Sequence, residues 1–310
     1  MKKILIELPS WLGDAVMTSP AIENLIKHFV NPQITLVGSF VAVEVFKNHP
    51  LVVSTHVLKK EYKFLYRKAG IIGSFDYFFS FRNSFRSKIF SLFLSSKKKF
   101  QYSQKKYVIG HQVEKYNNFV IDCIKKKYLP GNLVIYPVDK LSGNKLNPIA
   151  GISPGSSYGS AKRWYPAEFA KVAYTLSKKY QIVILGSTNE QDIALDIEKK
   201  LIEMGISNFK NLVGRTTISE LVHQISCLDL FITGDSGPMH IAASFQVPTI
   251  SIFGPTRTIE TSQWMADKNI IVKKNLNCQP CMKRVCPLGH HDCMRLIKSN
   301  EVLSAYRRLI

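Results

Sequence analysis

Apolar positions along the chain follow two periods. Short runs rich in Ile, Val, Leu and Phe at Ile4–Leu8, Ile34–Gly38 and Tyr77–Phe81 read as buried strands of one sheet. Between them, Ala15–Phe29 repeats Ile22, Leu25, Ile26 and Phe29 on one helical face, and Phe40–Phe46 predicts a shorter helix. A second series opens at Ile149–Ser153 and continues through Gln181–Gly186, Leu230–Thr233 and Thr249–Phe253, with helices expected near Pro166–Lys179, Asn189–Met204, Ile218–Cys227 and Pro238–Phe245. Strand and helix alternate throughout, the pattern of parallel βα units, so the expected class is α/β with two doubly wound domains. The polar, Gly- and Pro-containing stretch Val138–Pro148 predicts a hinge. The domains are therefore set at 1–145 and 146–310, with the C-terminal helix able to return to the first domain. Two open α/β sheets joined in this way bind ligands at the carboxyl ends of their strands, in a cleft between the domains.

The length of 310 residues fits two domains of about 150 residues each. No apolar run reaches the roughly 18 residues of a membrane span, and the first strand starts directly after Met1-Lys2-Lys3, so a soluble cytoplasmic protein without a signal peptide is expected. Of six cysteines, four crowd between Cys278 and Cys293, unlike the spread of a secreted disulfide framework. The formal charge of +20 is uneven: residues 1–150 carry +14 and residues 151–310 carry +6. In the first half Lys97-Lys98-Lys99, Lys105-Lys106 and Lys125-Lys126-Lys127 lie among Phe100, Tyr102, Tyr107 and Tyr128. That mixture suits nucleic acid, anionic lipid or a phosphorylated acceptor, and it equally describes a solvated lysine face.

Three loops carry candidate chemistry. In LFITGDSGPMHIAASF, a strand ends at Gly234-Asp235-Ser236-Gly237 and Pro238 occupies a first-turn helical position, leaving free N–H groups and a positive helix end for a phosphate. Asp235 or Ser236 could instead simply cap that helix, and His240 alone reads as a packed helix residue. In ISPGSSYGSAKRWYP, small residues admit a ligand to the backbone while Lys162 and Arg163 add positive charge. Neither this loop nor VILGSTNEQD has P-loop or G-x-G-x-x-G spacing, which argues against an NTPase or a dehydrogenase. In IELPSWLGDAVMTSP, Asp14 stands where the first strand passes to the first helix, as a helix cap or as a general base.

PSWLGDAVMTSPAIENL, PGSSYGSAKRWYPAEFA, GSTNEQD, TGDSGPMHIAAS and VPTISIFGPT, in this order, resemble the lipopolysaccharide heptosyltransferases of glycosyltransferase family nine over nearly the whole chain. Within that family, PSWLGD and CQPCMKRVCPLGHHDCM are similar to the members that add the second core heptose, with addition of the first heptose to Kdo-lipid A as the alternative. The resemblance implies a GT-B fold with its active site in the interdomain cleft. It also implies an acceptor-facing N-terminal domain, an ADP-heptose-binding C-terminal domain, and inverting transfer in one displacement with no required cofactor or metal. By the same resemblance Asp14 is the base and Lys162 the pyrophosphate lysine, with Arg163 as a further contributor of charge. The donor set is Ser157, Ser160, Lys162, Glu190, Asp235, Ser236, Gly237, Met239 and His240, Glu190 taking the adenosine ribose. Gly13, Lys97, Lys98 and Lys99 are expected to face an anionic lipopolysaccharide core and lipid A acceptor. The implied partners are a nucleotide sugar, that acceptor and the cytoplasmic face of the inner membrane, without nucleic acid. A non-catalytic basic protein that binds nucleic acid or membrane is the contrasting class. Cys278, Cys281, Cys286 and Cys293, with His290 and His291 nearby, form either a structural zinc site or a packed thiol loop, a labile disulfide included.

Overall fold

The computed structural model describes residues 1–59, 61–137 and 147–310, and of residues 62 and 63 the main chain alone. The chain separates into two compact units, Met1–Tyr136 and Pro137–Ile310. Residues 138–146, most of the expected hinge, lie outside the described residues.

In the first unit β1 (Lys3–Glu7) is followed by α1 (Leu12–Met17), α2 (Ser19–Phe29), β2 (Gln33–Gly38), α3 (Phe40–Glu44) and β3 (Val52–Val57). Then come α4 (Tyr62–Ile71), β4 (Ser74–Ser80), α5 (Phe85–Phe93), β5 (Ser95–Gln101) and α6 (Gln112–Ile124). All pairings are parallel, in the order β3-β2-β1-β4-β5. The middle of the central strand, Ile4-Leu5-Ile6, is fully buried, which is why it reads as a continuous apolar run rather than an alternating one.

The single helix expected over Ala15–Phe29 is two helices meeting at Thr18. Pro20 has no N–H to donate, and its ring would crowd the carbonyl four residues earlier in a continuous helix. The Thr18 and Ser19 hydroxyls donate to the carbonyls of Ala15 and Val16 at this junction, at 2.6 and 2.8 Å. The lysine triplet lies on β5, at the sheet edge, where charge discourages edge-to-edge pairing with other chains.

The second unit contains β6 (Ile149–Ser153), α7 (Pro166–Leu176), β7 (Gln181–Ile184), α8 (Gln191–Glu203), β8 (Phe209–Asn211) and α9 (Ile218–Ser226). It continues with β9 (Leu230–Gly234), α10 (Gly237–Ser244), β10 (Thr249–Phe253), α11 (Thr258–Thr261), β11 (Asn269–Lys273), α12 (Asp292–Arg295) and α13 (Ser299–Leu309). Its sheet is parallel in the order β11-β10-β9-β6-β7-β8. The last helix packs in its own unit: Val302, Leu303 and Ala305 join a core with Trp164, Phe169 and Ile252, and α13 lies against α7 and β11.

Each strand order reverses once, between β1 and β4 in the first sheet and between β6 and β9 in the second. Ligands of open α/β sheets bind outside the carboxyl ends of the strands at such reversals.

Candidate active site

The second sheet's reversal is flanked by the loop after β6 and the turn after β9. Lys162, at the end of a 3-10 turn over Ser160–Lys162, reaches across to Asp235. Its Nζ donates to the Asp235 carboxylate at 2.6 Å and to the Asp235 carbonyl at 3.2 Å. The Thr256 hydroxyl, from the loop after β10, donates to the same carboxylate oxygen at 2.6 Å. Asp235 is buried and thus held by two donors from two loops. It does not cap α10: the cap position is Ser236, whose side chain makes no capping bond and instead meets the Thr233 hydroxyl at 3.3 Å. Gly237 and Pro238 begin the helix behind it, so its positive end faces the strand ends.

The Tyr158 ring lies 4.7 Å from Lys162 Nζ and 5.6 Å from the Arg284 guanidinium. Ser157 and Ser160 are exposed on this loop, whereas Ser156 is buried and accepts from the Tyr158 N–H at 3.3 Å. Arg163 Nε is buried and makes no hydrogen bond among the described residues. Glu190 is buried too, in a reciprocal capping arrangement in which its carboxylate accepts from the Ser187 N–H at 2.6 Å. A Cβ on Gly155 would fall 2.1 Å from the Glu190 carboxyl carbon, so glycine there allows the β6 loop and Glu190 to touch. Met239 is fully buried, and His240 beside it is also inside. Both follow from helix geometry, since α10 lies over the sheet and these positions face inward.

The cysteine segment holds the lysine turn from behind. The Ala161 N–H donates to the Arg284 carbonyl at 3.0 Å, the Tyr158 hydroxyl to the Met282 carbonyl at 2.7 Å, and His291 Nε2 meets the Ala161 carbonyl at 2.9 Å. On the other side the Met282 N–H donates to the Pro255 carbonyl at 3.0 Å. Cys278, Cys281, Cys286 and Cys293 line one small cavity closed by Ala161 and Pro255, and all four are reduced. Burial, then the neighbouring thiols of Cys281, Cys286 and Cys278, pushes the Cys293 thiol up to about 11. Among the described residues no group of three His, Cys, Asp or Glu side chains is arranged to hold a metal ion, and the four thiols share this cavity.

In the first unit the cap of α1 is Trp11, in extended conformation. Asp14 is therefore in the first turn rather than at the cap, half-buried, where a negative charge is favoured by the helix dipole. Burial, and then the Asp14 charge, pushes the Tyr116 hydroxyl well up. Beneath the loop lies Glu7, the last residue of β1, which accepts from the hydroxyls of Ser80 (2.7 Å) and Ser87 and stands 3.7 Å from Arg82. Burial raises the Glu7 carboxyl above the ordinary range despite these partners. Gly13 is half-buried beside Asp14. Lys97 pairs with Asp76 at 2.7 Å, Lys99 donates to the Ser91 carbonyl at 2.6 Å, and Lys98 lies 5.9 Å from the Tyr77 ring.

Sequence reasoning missed Thr256, Tyr158, Ser156, Glu7 and Tyr116. Thr256 had a signal, because Gly254-Pro255-Thr256 directly follows a buried strand of the second series. Glu7 had a weaker one, as a carboxylate ending an apolar run. Tyr158 and Tyr116 depend on pairings between distant segments, and Ser156 makes a local contact, with the Tyr158 N–H.

Residues 79–291 match glycosyltransferase family 9 (heptosyltransferase). The chain is 39% identical over 319 aligned positions to lipooligosaccharide heptosyltransferase 2 of Campylobacter jejuni serotype O:2, covering 99% of this chain and 98% of that one. It is 27% identical to lipopolysaccharide heptosyltransferase 2 of Escherichia coli K12 over 176 positions, covering 56% and 50% of the two chains. Among solved structures it resembles E. coli ADP-heptose LPS heptosyltransferase II, with a TM-score of 0.78 at 20% identity over 99% of this chain and 98% of that one. The glycosyl transferase family 9 structure from Veillonella parvula gives 0.84 at 21% identity over 99% and 97%. These structural likenesses establish the fold as GT-B, two Rossmann-like α/β units.

Proposed function

Because the chain belongs to glycosyltransferase family 9, we propose that it is the glycosyltransferase that moves L-glycero-D-manno-heptose from ADP-heptose to the first heptose of the lipopolysaccharide or lipooligosaccharide inner core. The observation that carries this reading is the Lys162–Asp235–Thr256 arrangement at the strand reversal of the second unit. It occurs in a chain whose similarity to a heptosyltransferase 2 extends over both full lengths.

The donor is held by the second unit. An ammonium has three donors, and Lys162 uses two of them on Asp235, leaving one for a phosphate oxygen. The start of α10 adds uncapped N–H groups and a helix dipole directed at charge that grows on the leaving ADP. Ser157 and Ser160 are exposed on the same loop and supply hydroxyl donors. Glu190 takes the ribose hydroxyls through the oxygen facing Gly155. No metal or cofactor enters this scheme.

The attacked sugar of the acceptor is held by the first unit. Asp14 takes the proton of the attacking hydroxyl as that oxygen bonds to the anomeric carbon. The bond from this carbon to the β-phosphate oxygen breaks, its electron pair leaves with ADP, and the anomeric configuration inverts. The β5 lysines contribute a positive field more than direct contacts, since Lys97 and Lys99 already have protein partners. The surplus basic charge of residues 1–150 favours peripheral contact with the anionic cytoplasmic face of the inner membrane. Among the described residues no helix is long and apolar enough to cross a membrane.

The test is ADP release from ADP-heptose with acceptors bearing zero, one or two heptoses. Turnover with the one-heptose acceptor is expected. Turnover only with the heptose-free acceptor would assign addition of the first heptose, and no release with any acceptor together with RNA binding would assign the basic binding protein.

A further inference from the structure

A cavity of about 510 Å³, within the range of small-molecule sites, opens at the carboxyl ends of β10 and β11 in the second unit. It is one strand removed from the Lys162–Asp235 pair, and the mechanism above does not use it. Its charged lining is wholly cationic: Arg257, Lys273 and Lys274. Two of these are fixed from outside the cavity, Arg257 by Glu260 at 3.2 Å and Lys274 by Glu301 at 2.7 Å. Lys273 ends β11 in the open and makes no ion pair among the described residues.

The neutral lining divides in two. Asn275 and Asn277 are exposed and their amides make no hydrogen bond among the described residues, whereas both ends of the Gln279 amide are already engaged, with Gly254 and Leu276. Ile259, Leu276 and Pro280 supply apolar surface. Amides beside apolar surface suit the hydroxyls and C–H faces of a sugar ring, and a cluster of cations with no lining carboxylate suits a phosphate or carboxylate. Thr256 belongs to this wall as well and donates to Asp235, so an occupant would touch the loop that holds the donor-site acid.

We propose that this cavity is a subsite for an anionic saccharide, a sugar bearing a phosphate or a carboxylate, and that it selects the acceptor. The proposal rests on the transferase reading, because it assigns the occupant to the acceptor substrate. Binding by the cavity itself is measured independently of turnover.

The experiment titrates the full-length protein with mannose 6-phosphate, glucuronate and mannose, followed by NMR of the saccharide, with and without saturating ADP. The charged sugars should bind and mannose should not, and ADP should not displace them. A preference for mannose 6-phosphate or for glucuronate identifies which anion the site takes. Lys273→Ala combined with Asn277→Ala should weaken charged-sugar binding at least about tenfold, the effect of losing roughly 1.4 kcal/mol. Both positions are exposed, so the melting temperature and ADP affinity should be unchanged. In the transfer assay the same variant should raise KM for acceptor and not for ADP-heptose. Equal binding of mannose, displacement by ADP, or unaltered affinity in the double variant would each overturn the proposal. Absence of turnover with intact charged-sugar binding would instead count against the transferase reading alone.

Discussion

Lys162 and Asp235 meet at 2.6 Å across the point where the strand order of the second sheet reverses. The two residues are 73 positions apart in the chain, and each follows one of the two strands that flank the reversal. The pair therefore locks together the loops between which a nucleotide would lie. Its lysine keeps a donor in reserve, so a phosphate can be bound without breaking the pair.

If Lys162 holds the donor phosphate as proposed, replacing it by Ala removes a charge-assisted contact that contributes about 1.5–3 kcal/mol. It also leaves Asp235, which is 4% exposed, with Thr256 as its remaining side-chain donor. Calorimetry should show ADP affinity falling by at least about tenfold, with a lower melting temperature. Asp235→Asn still accepts from Thr256, so it should be milder in stability than Asp235→Ala. Wild-type ADP affinity in Lys162→Ala would remove the lysine from the donor site.

Asp14→Asn separates a catalytic from a structural role. Trp11, not Asp14, occupies the cap of α1, so loss of the charge forfeits a helix-dipole term of about 0.3–1 kcal/mol and no capping bond. The variant should fold and bind ADP normally while turnover falls at least about a hundredfold, the lower end for a positioned base. Single-turnover kinetics, with melting and ADP calorimetry on the same preparation, decide it. Near-normal turnover would exclude Asp14 as the base.

Glu7 gives a pH test with a defined sign. Its folded-state carboxyl titrates above the ordinary range because burial outweighs the Ser87, Ser80 and Arg82 contacts. Between the unfolded and folded values the native chain therefore binds a proton that the unfolded chain has lost, and stability falls as pH rises through that window. Gln at this position can still accept from both serines and does not titrate. The melting temperature of Glu7→Gln relative to wild type should increase from pH 4 towards pH 8. A difference that shrinks with rising pH would mean that the Arg82 ion pair dominates.

How much of this was legible depended on where each segment lies in its sheet. The interior strands β1, β2, β4, β6, β7, β9 and β10 bury most or all of their length, so their apolar runs were plain and fixed the α/β reading. The edge strands β3, β5, β8 and β11 were missed, because a strand with one side open to water can carry Ser, Lys and Asn. The lysine triplet is the sharpest case: read as either a ligand face or a solvated face, it lies on an edge strand. At the site, the loops carrying Asp14, Lys162 and Asp235 could be found from local turn composition. That Lys162 reaches Asp235 and that Thr256 joins them could not, since these contacts are set by strand order.

Gly159 tests whether the cysteine segment matters to the donor loop. It has a φ of 155°, and a Cβ there would stand 2.3 Å from the Arg284 carbonyl oxygen, the same oxygen that accepts from the Ala161 N–H. Main chain cannot move aside as a flexible side chain can, so Gly159→Ala must either part the two segments or twist the turn that ends at Lys162. Strain of this kind is on the order of 1–3 kcal/mol. The expected result is a loss of ADP affinity of at least about fivefold and a raised KM for ADP-heptose, with KM for acceptor little changed. Gly205→Ala is the control: that residue also has a positive φ, of 76°, but a Cβ there would meet nothing within 4 Å. It should cost about 1 kcal/mol of stability through backbone strain alone and leave ADP binding intact. If Gly159→Ala lowered the melting temperature as Gly205→Ala does and left ADP affinity untouched, the Arg284 contact would be a structural fastening without influence on Lys162.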